Sequence, residues 1–137
     1  MPFDLERFVI AQTPVWAAVR AELAAGAKRT HWMWYIFPQI AGLGFSAMSQ
    51  TYAISGPAEA RAYLAHPILG PRLREATALV LTHTERTAVQ ILGPIDGAKF
   101  RSCMTLFAAV SKEPIFTQAL AQCFAGEADP ATLARLS

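Results

Sequence analysis

Charge is scarce in this chain: Asp, Glu, Lys and Arg make up 16% of its 137 residues, against 53% apolar residues. Disorder requires the reverse balance, so an unfolded, solvated chain is excluded. A surface so poor in charge also leaves apolar area uncovered, which favours a homodimer. The net charge of +2 is too mild for a protein that tracks a nucleic-acid backbone. The basic residues are dispersed as well, with only Lys28-Arg29 and Arg72-Leu73-Arg74 clustered, so nucleic acid is excluded as a partner.

Cysteine is nearly absent. Cys103 and Cys123 each fall within an apolar helical pattern and read as reduced, buried thiols, since a small secreted scaffold would carry more. The segment Met1-Pro2-Phe3-Asp4-Leu5-Glu6-Arg7 lacks the basic start and apolar core of a signal peptide. The greasiest stretch, Trp32 to Phe45, is broken by Pro38, Gln39, Gly42 and Gly44, and is shorter than the roughly 20 residues that span a bilayer. No membrane partner is expected, and the expected location is the cytoplasm.

Strand signals are also missing: there is no alternating run of useful length and no Asn-Gly hairpin. His31, His66 and His83 have no metal-ligand spacing, so neither zinc nor another metal is expected. Gly42-Leu43-Gly44-Phe45-Ser46 is not a phosphate loop or a dinucleotide fingerprint, and Gly44-Phe45-Ser46-Ala47-Met48 is not a nucleophile elbow. No cofactor is implied.

What the chain does have is Pro and Gly at helix-length intervals, the punctuation of an all-α fold. The spacing predicts a single domain over residues 1–137, built of about seven to nine short helices. Asp4 is placed to cap a helix through Gln12, and Thr13-Pro14 reads as cap and first residue of a second, closed by Gly26. Val15, Val19 and Leu23 mark its buried face, with Trp16 beside them. Thr30 is placed to cap a short helix over His31 to Phe37, which Pro38 ends. Ser46, Gly56-Pro57 and Pro67 open further helices, and Leu69, Leu73, Ala76 and Val80 form a stripe on the last of these. Thr87 to Leu92 reads as a short helix or an extended piece. Asp96 is placed to cap a helix on which Phe100, Met104, Phe107 and Val110 share a face. Pro114 starts one that buries Phe116, Leu120 and Phe124 and closes at Gly126, and Asp129-Pro130 starts a terminal turn.

The oddest segment is Lys28-Arg29-Thr30-His31-Trp32-Met33-Trp34-Tyr35-Ile36-Phe37-Pro38-Gln39. Basic residues at a helix start oppose the macrodipole, and a bound anion is one physical reason to tolerate them; lysines pointing into solvent are the other. Trp32 and Trp34 lie roughly 200° apart around a helix, so one ring faces away from the first core layer. Core packing and ligand stacking both remain open for Trp32, Trp34, Tyr35 and Phe37. Lys99, three residues beyond Asp96, repeats the charge anomaly, with Ser102 on its face and Arg101 on another side. Convergence of the two basic segments would suit a phosphate or carboxylate.

At these residues the chain closely resembles an uncharacterised bacterial family, domain of unknown function 1810, some of whose members carry a misleading calpastatin label. The run from Lys28 through Gly44 carries the resemblance. So do Tyr52-Ala53-Ile54, the segment Glu59 to Leu64, His66-Pro67-Ile68-Leu69-Gly70-Pro71-Arg72-Leu73 and the segment Lys99 to Phe107. Cys103 stands where the family tends to have serine, and Ile95-Asp96-Gly97-Ala98 departs from its Pro-Asp-Asp. The resemblance implies a small all-α fold and no established activity. The residues themselves suggest a small anionic ligand, phosphorylated or nucleotide-like. Lys28, Arg29, Lys99 and Arg101 would supply charge, and His31, Gln39, Ser46 and Ser102 would orient the ligand. Trp32, Trp34 or Tyr35 would stack, and His31 would be the acid or base of any chemistry. The alternative is a ligand-free interaction module or homodimerising domain.

Overall fold

The computed structural model describes residues 3–136, and over these the chain is helical with no β-strand. Met1 and Pro2, part of the N-terminus read above for a leader, lie outside the described residues, as does Ser137. The helices are α1 (Glu6–Gln12), α2 (Trp16–Ala25), α3 (Met33–Ile36), α4 (Ala47–Thr51), α5 (Pro57–Ala65), α6 (Leu69–Leu81), α7 (Ala88–Leu92), α8 (Pro94–Val110), α9 (Pro114–Phe124) and α10 (Pro130–Leu136).

Most boundaries follow from residue chemistry. Proline occupies the first turn of α5, α8 and α9, where its missing N–H costs no hydrogen bond. Gly26 ends α2 in the left-handed region and donates back to Glu22 and Leu23 carbonyls. Ser46 caps α4 through the Ser49 N–H. Thr87 and Gln90 form a reciprocal capping box, so residues 88–92 are helical rather than extended.

Four expected caps are not caps. Leu5, not Asp4, precedes α1, and no side chain caps it. Thr13 begins a 3-10 turn, Thr13–Val15, and its hydroxyl donates back to the Val9 carbonyl. Thr30 lies ahead of α3, which starts only at Met33, and bonds to Glu22 instead. Asp96 sits inside the first turn of α8, because Pro94 fixes the helical φ two residues earlier. Its charge still suits that end of the macrodipole.

The longest helix, α8, runs through the middle of the packing and touches α5, α7, α9 and α10. Phe100, Cys103, Met104, Leu106 and Phe107 are fully buried along it. The α6 stripe Leu69, Leu73, Ala76 and Val80 is likewise buried. Each such Leu or Phe removes enough apolar area from water to stabilise the fold by about 1.5–3 kcal/mol. Phe37, just after α3, meets Phe100 edge to face at 4.9 Å between ring centroids. That contact holds the following 39–44 loop beside α8. The loop is pinned from its other side by a single parallel bridge, with Ile54 N–H donating to Gln39 and Ala41 N–H to Ile54.

Candidate functional site

The basic segment before α3 has already found its anions, and both belong to the protein. The Glu22 carboxylate on α2 receives Arg29 N–H at 2.7 Å, Thr30 N–H at 2.9 Å, Thr30 Oγ1 at 2.6 Å and Trp32 Nε1 at 3.0 Å. Desolvation alone would raise the Glu22 pKa, but these four donors outweigh it and hold it at about 2. Lys28 Nζ lies 2.9 Å from Asp96 Oδ2 with only 8% of its side chain exposed, and stacks 5.0 Å above the Trp32 ring. Lys99 Nζ approaches the other oxygen of Asp96 at 3.8 Å. The two basic segments therefore do converge, on Asp96.

The remaining expected residues separate into those used by the fold and those left open. Trp32 and Tyr35 are buried; Tyr35 donates its hydroxyl to the His31 carbonyl, and its own carbonyl accepts from Gln12. Arg101 clasps the segment before α10, donating to the Glu127 and Ala128 carbonyls at 2.8 and 2.9 Å. Arg29 is exposed beside α2, away from α8, and Ser46 is occupied as the α4 cap. His31 is exposed.

Gln39, Lys99 and Ser102 come together. They line an open groove of about 500 Å³ between the 39–44 loop, the first turns of α8 and the residue preceding α10. Leu43, Gly44, Pro94, Ile95 and Ala98 supply its apolar walls, and Asp129 lines it as well. The volume is that of a small-molecule site. Among the described residues Lys99 Nζ makes no hydrogen bond: Asp96 is beyond bonding distance and the Trp34 ring lies 5.5 Å away. The Gln39 side-chain amide has no hydrogen-bond partner among the described residues either, since only the Gln39 carbonyl is engaged.

Asp129 was legible in the sequence only as a helix start. In the fold its Oδ2 also accepts from Ser102 Oγ at 3.2 Å, which joins α8 to α10 and fixes Asp129 beside the groove. Gly42 has φ +97°, and the Arg135 guanidinium of α10 lies where a side chain at this position would stand. The loop wall of the groove thus rests on the C-terminal helix. Nothing in the local sequence around Asp129 or Arg135 signals a neighbour from the 39–44 loop.

Helix order, the α8 core and a groove bounded by the 39–44 loop together define a small all-α protein with a mixed polar and apolar surface site. It belongs to the family described as protein of unknown function (DUF1810), whose model matches residues 2–136. It is similar to the crystal structure of the conserved hypothetical protein Rv1873 from Mycobacterium tuberculosis. The two are 49% identical, with 99% of this chain and 98% of that one covered and a TM-score of 0.97. No curated protein matches the chain. Among the described residues, no helix is long and apolar enough to cross a membrane.

Proposed function

We propose that the groove along the first turns of α8 binds a small molecule bearing an anionic group, of the phosphorylated or nucleotide-like kind. The observation that carries this reading is Lys99, an ammonium on the groove wall whose donors find no hydrogen-bond acceptor among the described residues. The anion would sit on Lys99 Nζ, the Gln39 amide and Ser102 hydroxyl would orient it, and an apolar portion would lie along Leu43, Ile95 and Ala98. Lys28, Arg29, Arg101 and His31 take no part.

A thermal-shift screen against phosphate, sulfate, nucleotides and small organic acids tests this. A ligand at 100 times its Kd adds about 2.7 kcal/mol of stability, seen as a rise of several degrees in Tm. The rise should vanish in Lys99→Met. A second reading draws on the groove's rim, where Ile95 is 73% exposed and Phe45 86% exposed. Such rings and branched chains suit an interface with a protein partner or a second copy. No shift with any anion, together with a Tm that climbs with protein concentration, would favour that reading and remove the first.

A further inference from the structure

We infer that the ligand of this groove is a zwitterion, with a cationic donor for Asp129 besides its anionic group; the inference rests on the anion reading of Lys99. It is carried by the state of Asp129. One carboxylate oxygen, Oδ2, is saturated: it accepts from Ser102 Oγ at 3.2 Å, Thr132 N–H at 3.0 Å and Thr132 Oγ1 at 2.6 Å. The other, Oδ1, has no partner among the described residues, and Asp129 lines the groove. Three hydrogen bonds onto one oxygen fix the plane of the carboxylate, so the free oxygen is a rigid acceptor rather than a mobile surface charge. The Asp129 N–H is bound as well, at 2.8 Å from Thr105 Oγ1, which locks the backbone beneath it.

A simple anion entering the groove would gain at Lys99 and be repelled at Asp129. A ligand that also carries an ammonium turns that repulsion into attraction and fills both open groups at once. Lys99 and Ser102 are one helical turn apart on α8, and Asp129 is bonded to Ser102. The Gln39 amide, which can both donate and accept, lines the loop side of the same groove.

The test is isothermal titration of the full chain with a ladder of ω-amino carboxylates of increasing length. Each is compared with its N-acetyl derivative and with the hydroxy acid of equal length. The free amine should bind at least about tenfold more tightly than either neutral counterpart, the worth of one charge-assisted hydrogen bond. Asp129→Asn keeps an oxygen for the Thr132 cap, so it should fold, and it should abolish the preference. Thermal unfolding of this variant checks that α10 stays docked. Lys99→Met should weaken all three ligand types. Equal, Lys99-dependent binding of the amine, acetylated and hydroxy forms would overturn the zwitterion while leaving the anion site standing. A preference that survives Asp129→Asn would also overturn it. Absence of binding by every acid, phosphate included, would remove both.

Discussion

Lys28 Nζ and Asp96 Oδ2 lie 2.9 Å apart, and the lysine that looked available to a ligand is enclosed with its counter-charge. Removing one partner of such a pair strands a charge that water can hardly reach. Asp96→Ala should therefore destabilise the fold by about 3 kcal/mol, read as a fall in the urea midpoint. Adding Lys28→Met should recover part of that loss, because an apolar chain of similar length needs no counter-charge. A double variant no more stable than Asp96→Ala would show that the pair's worth lies elsewhere. Asp96→Ala should also tighten simple anions several-fold, since Lys99 would lose its nearest carboxylate.

Glu22 makes stability depend on acid. Its folded pKa, about 2, lies below the ordinary 4.5, so its contribution is complete above pH 4.5 and is lost as pH falls through 2. Glu22 is partly exposed, and solvent screening keeps the contribution to about 1.5 kcal/mol. Glu22→Gln should lower Tm at neutral pH and flatten the decline in Tm between pH 4.5 and 2. Parallel curves for the two proteins would contradict this account of the 29–32 segment.

Gly70 permits the close approach of α5 and α6. A Cβ there would stand 2.2 Å from the Leu64 carbonyl oxygen, which is backbone and cannot swing aside. Gly70→Ala should cost about 2–3 kcal/mol by overpacking, despite alanine's better helix propensity. Chemical denaturation measures it directly.

Ala125 ends α9 with φ +54°, the left-handed position that glycine usually takes, and Gly126 follows at +81°. Closure was expected at Gly126 alone. An alanine there is strained by about 1 kcal/mol, so Ala125→Gly should raise stability by several tenths of a kcal/mol or more. An unchanged or lower Tm would mean that the methyl group contributes packing that offsets the strain.

The sequence by itself determined the all-α class and most of the helix boundaries, because these depend on residues a few positions apart. Proline at the first turn of α5 and α9, Gly26 after α2 and the Leu69, Leu73, Ala76 and Val80 stripe act through local dihedrals and 3.6-residue periodicity. The Thr87–Gln90 capping box was equally local and could have been read the same way. The anomaly at Lys28–Gln39 was legible as an anomaly, but its resolution was not. Glu22 and Asp96 take up its donors and its charge, and the chain's tertiary course brings them there. The groove has the same origin. Gln39, Lys99 and Asp129 come from three distant segments, joined because Phe37 seats on Phe100 and Ser102 bonds to Asp129. Spacing along a helix reports which side chains share a face; which charge that face will meet is decided only when the helices pack.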